Sequence, residues 1–312
     1  IWVSEIMLQQ TRVETVIPYY TRFMTRFPSA HALADAALDD VLAHWSGLGY
    51  YRRARLLHEG ARVVVRDHGG ELPRAPEARR ALPGIGAYTA GAIGSIAFDL
   101  PEPIVDGNVA RVLSRVLCIE TPLGERSTER ALWQAAGELA QGERPGALNQ
   151  ALMELGARVC VPVNARCGAC PIAAVCAAHK LERVDELPLS PKKKPPKPVQ
   201  LVALVARAPD GKLWLTRSDG SLFGGLWGCP LEPGSGRKVA SALSERMGLT
   251  GKLSTKQLGS VTHILTHRAL TLDVYGLREA EGGEHDSLKK LHDTELSSLG
   301  IATLTRKILA SM

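Results

Sequence analysis

Along the first part of the chain, apolar residues recur with the period of an α-helix. Val109, Val112, Leu113, Val116 and Leu117 fall at i, i+3, i+4, i+7 and i+8, a stripe that turns inward while Arg111 and Arg115 face elsewhere. Similar stripes run from Leu132 to Leu139 and from Leu148 to Val159, separated by the breaker Arg144-Pro145-Gly146. Trp2 to Leu8 reads as the inside of a helix, so the true beginning of the protein is expected upstream of Ile1. The pattern predicts an all-α region from Ile1 to about His179.

The period then changes. From Pro188 to Pro198 the sequence runs Pro-Leu-Ser-Pro-Lys-Lys-Lys-Pro-Pro-Lys-Pro, where repeated prolines exclude helix and sheet ladders and favour a stiff extended spacer. A domain boundary is expected here, with residues 180–198 as the linker. Beyond it, Val199 to Arg207 and Lys212 to Arg217 are β-type runs joined by Pro209-Asp210-Gly211, which predicts a hairpin. A helix near Lys238 to Met247, a strand pair through Gly259 to Leu277 and a short amphipathic helix from Ala302 to Leu309 complete a second domain, 199–312, of α+β class. There is no internal repeat of the kind that builds a solenoid.

A chain of 312 residues accommodates two domains, each with its own core. The formal net charge of +6 suits an anionic partner and permits nucleic acid without demanding it. The longest apolar stretch, Ala87 to Phe98, is too short and too rich in glycine to span a bilayer, so no membrane segment is expected.

Four of the six cysteines, Cys160, Cys167, Cys170 and Cys176, lie within seventeen residues with the spacing C-x6-C-x2-C-x5-C. Loops this short can wrap four thiolates around one inorganic centre, and a [4Fe-4S] cluster is the leading reading. Structural zinc stays open, although zinc sites more often use two close pairs and only Cys167 and Cys170 form one here. Disulfides rank last, because no other cysteine spacing suggests pairing. Cys118 and Cys229 lie outside the pattern and are expected to be ordinary thiols.

The segment Leu82-Pro83-Gly84-Ile85-Gly86-Ala87-Tyr88-Thr89-Ala90 places Gly84 and Gly86 between a helix end and a helix start. There they let backbone N–H groups approach an anion, helped by the partial positive charge of the following helix terminus; a plain interhelical turn is the alternative. Asp106, in Val105-Asp106-Gly107-Asn108-Val109, stands where a helix cap is wanted, and a carboxylate there can also face a developing cation. Glu5 interrupts an apolar stretch. On the wet face of its helix it would be unremarked; partly buried, its pKa would rise and it could donate a proton. A raised Glu beside an ionised Asp is how one site combines acid and electrostatic work.

Leu82 to Ala90, Val105 to Val109 and the four-cysteine loop together resemble the endonuclease III superfamily of DNA glycosylases. Trp2-Val3-Ser4-Glu5-Ile6-Met7-Leu8-Gln9-Gln10-Thr11 and Gly47-Leu48-Gly49-Tyr50-Tyr51-Arg52-Arg53-Ala54-Arg55 resemble, within it, the MutY family of adenine glycosylases. The resemblance implies an all-α helix-hairpin-helix glycosylase domain that carries a [4Fe-4S] cluster on Cys160, Cys167, Cys170 and Cys176. It further implies duplex DNA with adenine opposite 8-oxoguanine as partner, excision of that adenine after it is flipped from the stack, a monomer, and a cytoplasmic, nucleoid-associated, bacterial-type location. By the same resemblance Glu5 is the general acid and Asp106 stabilises the cationic sugar, while Tyr88 and Asn108 line the pocket. Gln10, Thr11 and Tyr50 contact the opened lesion pair. Bifunctional relatives carry at the position of Tyr88 a lysine that forms a Schiff base; tyrosine cannot, so a monofunctional enzyme is expected. The rivals are an oxidised-pyrimidine or mismatch glycosylase of the endonuclease III type and a non-catalytic DNA-binding scaffold.

The second domain resembles the Nudix-like module of the same family through Leu222-Phe223-Gly224-Gly225-Leu226-Trp227 and an eroded Nudix box at Ala242 to Leu249. Of the acidic Mg²⁺ ligands a working box needs, only Glu245 survives, so nucleotide hydrolysis is not expected. The family's Phe-Ser-His loop, which reads 8-oxoguanine, corresponds to Leu265-Thr266-His267, with Thr266 keeping a hydroxyl and His267 the imidazole.

Overall fold

The computed structural model describes residues 1–190, 195–218, 222–282 and 287–312, with side chains throughout these except at 297 and 298. Residues 191–194 of the expected linker lie outside the described residues. The helices of the first part are α1 (Trp2–Leu8), α2 (Val13–Arg26), α3 (Ala30–Ala34), α4 (Leu38–Trp45), α5 (Arg52–His68), α6 (Pro76–Arg80), α7 (Ala87–Ala92), α8 (Gly107–Val116), α9 (Arg126–Leu139), α10 (Pro145–Arg158) and α11 (Ala177–Lys180), with a π-helical turn over Ile93–Ala97. The second part runs β1 (Lys197–Arg207), β2 (Leu213–Arg217), β3 (Trp227–Gly228), β4 (Leu231–Pro233), α12 (Arg237–Arg246), β5 (Leu249–Leu253), β6 (Gly259–Ile264), β7 (Arg268–Gly282), β8 (Leu288–Leu291) and α13 (Thr303–Ala310). A helical region followed by a mixed sheet with flanking helices is the class the periodicity predicts.

Two compact units emerge: Ile1–Val16 with Glu59–Lys193, and Ile17–His58 with Lys194–Met312. Residues 17–58, helical by sequence, therefore group with the sheet.

In the first unit the apolar stripe of α8 is the core. Val109, Val112 and Leu113 are buried against Leu132 and Ala136 of α9 and Leu152 of α10, and each large aliphatic side chain so buried contributes about 1.5–3 kcal/mol. Arg115 departs from expectation. It is only 1% exposed, and its guanidinium donates to the carbonyls of Leu187 (2.8 Å), Val161 (2.9 Å) and Pro162 (3.2 Å). A charge can be buried this way because each of the three guanidinium nitrogens has a carbonyl acceptor. Leu187 is buried too, and the Leu189 carbonyl accepts from the Leu123 N–H, so the start of the proline-rich segment packs on this unit.

In the second unit β1 pairs in parallel with β7 from Lys197↔Arg268 to Ala206↔Leu277. The strand thus takes up Lys197 and Pro198, which the proline count assigned to the spacer. Proline is tolerated at the first residues of a strand, where no ladder partner claims its missing N–H. The expected hairpin exists, with Ala206↔Trp214 and Arg207↔Leu213 around Gly211 at φ +80°, and β6 folds back on β7 as an antiparallel pair. The sheet buries both faces. One covers Leu201, Ala203, Leu270 and Leu272 with Leu304 and Ile308 of α13; the other covers Val202, Leu204 and Leu277 with Ala240 and Leu243 of α12.

Candidate functional site

The first unit brings side chains of α1, α7 and α8 together at one site. α1 is anchored by Trp2, whose buried ring packs against Gly60, and Glu5 on the same helix is only 9% exposed. The turn before α7 uses Gly84 at φ +78°, where a side chain would be strained, and Gly86 caps the helix. Tyr88, on the first turn, then donates from its hydroxyl to Glu5 Oε2 at 2.6 Å and reaches Met153 Sδ at 3.8 Å. Asp106 caps α8: its Oδ1 accepts the Val109 N–H at 2.7 Å, and its Oδ2 accepts from Asn108 Nδ2 at 2.9 Å.

Burial pushes the Glu5 carboxyl above its usual range. The Tyr88 bond works against that rise and the Asp106 charge adds to it. Tyr88 is held protonated by burial and by the Glu5 charge, which leaves its hydroxyl a donor. The pocket thus holds a carboxyl biased toward its acid form and a second carboxylate near enough to be felt by it.

Arg111 extends this arrangement. Its Nη2 donates to Asn108 Oδ1 (2.8 Å) and the Gly156 carbonyl (2.7 Å), and its Nε donates to the Cys160 carbonyl (2.7 Å). Arg115, one turn on, places Nη1 3.3 Å from Cys160 Sγ. Cys160, Cys167, Cys170 and Cys176 are all free thiols, and together they line one small cavity with Val112, Leu155 and Ile172. The Cys167 thiol is pushed up by burial and then by the three other cysteines. Among the described residues no three Cys, His, Asp or Glu side chains converge closely enough to hold a metal ion.

The second unit builds a different kind of feature. Gly47 has φ +109°, and a methyl there would collide with the Tyr19 hydroxyl; Gly49 has φ +72°. This turn throws Tyr50 outward, 52% exposed, with the Arg53 guanidinium 5.4 Å from its ring centre. The Tyr50 hydroxyl lies 3.4 Å from Thr266 Oγ1, at the tip between β6 and β7. Thr266 and His267 are exposed there, whereas Leu265 packs against the sheet core. The same unit is tied internally by Arg217 to Asp39 (2.9 Å) and by the Tyr51 hydroxyl donating to the Ile301 carbonyl (3.3 Å).

Of the residues singled out by sequence, Glu5, Tyr88, Asp106 and Asn108 are brought together, with Gly84 and Gly86 shaping the approach to Tyr88. Tyr50 and Thr266 meet, and His267 follows Thr266. Gln10, at φ +56°, and Thr11, whose hydroxyl donates to the Gln9 carbonyl at 3.3 Å, follow α1 in the first unit. Sequence reasoning missed Met153, Arg111 and Arg115. The two arginines sit four apart on one helix, but their shared partner Cys160 lies more than forty residues away along the chain.

Residues 3–138 match the profile described as HhH-GPD superfamily base excision DNA repair protein, and residues 202–311 match the NUDIX domain profile. The helical part thus matches the HhH-GPD superfamily of base excision DNA repair proteins, and the part beyond it a Nudix domain. The chain is similar to the adenine DNA glycosylases. It is 39% identical to that of Rattus norvegicus over 89% of this chain and 63% of the relative, and 37% identical to that of Homo sapiens over 89% and 60%. The chain thus spans about three fifths of the length of these curated relatives. Among solved structures, a thermostable thymine-DNA glycosylase superposes with TM-score 0.51 at 29% identity, over 58% of this chain and 83% of that one.

Proposed function

We propose that this protein is a monofunctional adenine DNA glycosylase that hydrolyses the N-glycosidic bond of adenine mispaired with 8-oxoguanine or guanine in duplex DNA. The observation that carries the reading is the buried Glu5, hydrogen-bonded by Tyr88 and within electrostatic reach of Asp106, in a chain whose helical part matches a base-excision-repair superfamily. The adenine leaves the stack at a cost of about a few kcal/mol. Glu5, whose proton affinity burial raises, gives its proton to adenine N7. As the C1′–N9 bond breaks, the Asp106 carboxylate opposes the positive charge growing on the sugar. Water adds its hydroxyl to C1′ and returns a proton to Glu5, so atoms and charge balance. A positioned acid of this kind contributes about 10² to 10⁴-fold. Tyr88 offers no amine, which disfavours a Schiff base and strand cutting.

The exposed pair Tyr50 and Thr266 supports recognition of the opposite base by an aromatic face and a hydroxyl. The cysteine cavity supports a [4Fe-4S] cluster on Cys160, Cys167, Cys170 and Cys176. When bound, the cluster would contribute folding free energy to the loop.

Single-turnover assays on duplexes with A opposite 8-oxoguanine, A opposite G, and an oxidised pyrimidine test the reading. Release of adenine from the first two, fastest from the first, is expected. Release of the pyrimidine alone would overturn it in favour of an endonuclease III-type enzyme, and tight binding with no release would favour a non-catalytic scaffold.

A further inference from the structure

Asp106 is held by its cap bonds, but what fixes the cap is the segment that leads into it. Residues 102–105 cross the back of α7 and its π-helical turn, clamped from several sides. Asn149 of α10, 1% exposed, donates through Nδ2 to the Glu102 carbonyl and to Ser95 Oγ, both at 2.9 Å. Gly91 lies so close to the Pro103 carbonyl that a methyl would collide with it, and Gly94 is as close to the Glu102 carboxylate. Glu102 is also ion-paired with Arg79, which is fully buried and whose Nη1 donates to the Pro73 carbonyl at 3.0 Å. Ile104 is fully buried. A carbonyl, a carboxylate and an aliphatic side chain are thus each locked within four residues of Asp106.

We propose that residues 102–105 form a clamped strap that sets where Asp106 stands relative to Glu5, and that Asn149 is its positioning residue. Asn149 touches no reacting atom. Its donation to the Glu102 carbonyl ties the strap to α10 four residues before Asp106. The inference rests on the glycosylase reading of the pocket and assigns it a positioning residue outside the four pocket residues.

The test compares adenine excision in single turnover, duplex affinity and the pH–rate profile for wild type, Asn149→Ala, Asn149→Ser, Gly91→Ala and Ser95→Ala. The first two release the strap from one side, and Gly91→Ala pushes it from the other. Each is expected to slow excision on the order of 10- to 100-fold, as for a misplacement of about 1 Å, while duplex affinity stays within about twofold. The Asp106 charge helps hold the Glu5 proton, so a displaced Asp106 is expected to shift the alkaline limb of the pH–rate profile away from its wild-type position, a change that lowered stability alone would not give. Ser95→Ala keeps the Asn149 bond to Glu102 and is expected to excise at the wild-type rate. Should Asn149→Ala fail to fold, Gly91→Ala and Asn149→Ser carry the same readouts. Wild-type excision in these variants overturns the strap alone, as does a Ser95→Ala defect equal to that of Asn149→Ala. A wild type that leaves every adenine duplex intact overturns the glycosylase reading, and with it the strap's part in that reaction.

Discussion

The acid pocket of the first unit and the Tyr50–Thr266 tip of the second achieve opposite ends with opposite means. The pocket withdraws Glu5 from water and thereby changes its proton affinity; the tip pushes an aromatic ring and a hydroxyl into water. Proton transfer needs a group whose environment has altered it, whereas recognition needs groups free to exchange one partner for another. Buried substitutions are therefore expected to change rate, and exposed ones to change preference.

The largest expected effect breaks the pocket side. Asp106→Asn keeps the shape of the α8 cap but removes the charge facing the sugar, and excision is expected to fall by about 10² to 10⁴-fold with duplex binding intact. Arg111→Ala is next. It releases Asn108 and the Cys160 carbonyl together, so excision is expected to drop roughly tenfold and thermal stability by about 1.5–3 kcal/mol, measured by single turnover and calorimetry.

Tyr88→Phe sharpens the contrast through pH. The Tyr88 bond lowers the Glu5 pKa, so its loss raises that pKa further. The acid form then persists to higher pH, and the alkaline limb of the pH–rate profile is expected to move up; a downward move would contradict the hydrogen-bond assignment. On the exposed side, Thr266→Ala is expected to cost about 0.5–1.5 kcal/mol of preference for A opposite 8-oxoguanine over A opposite G, with the A opposite G rate unchanged. A large loss on both duplexes would place Thr266 among the groups that run the reaction.

The same division explains what could be read without coordinates. The α8 stripe, the β1–β2 hairpin and the β6–β7 pair are written in local periodicity and turn chemistry. Parallel pairing of β1 with β7 joins residues about seventy apart, and the grouping of residues 17–58 with the sheet rests on contacts such as Arg217 with Asp39. Neither leaves a local trace. The pocket residues were legible because Glu5 breaks an apolar run and Asp106 stands at a cap. Arg115 was not, because a guanidinium satisfied by three distant carbonyls has the same sequence signature as one facing solvent. Leu265 likewise keeps the position of an aromatic reader, yet packs on the core and leaves Thr266 and His267 at the tip.

Glu5 joins the two sides of the account, because one burial both raises its pKa and weakens the fold. In the unfolded chain the carboxyl ionises at its usual value. Above that pH, folding must either hold a proton the unfolded chain has lost or bury a charge, so stability falls until the raised value is passed and then levels. Excision and stability of Glu5→Gln, measured together at neutral pH on a duplex with A opposite 8-oxoguanine, test this most directly. The expected result is duplex binding and stability equal to or above wild type with excision lost; excision at the wild-type rate would contradict the assignment of Glu5 as the acid.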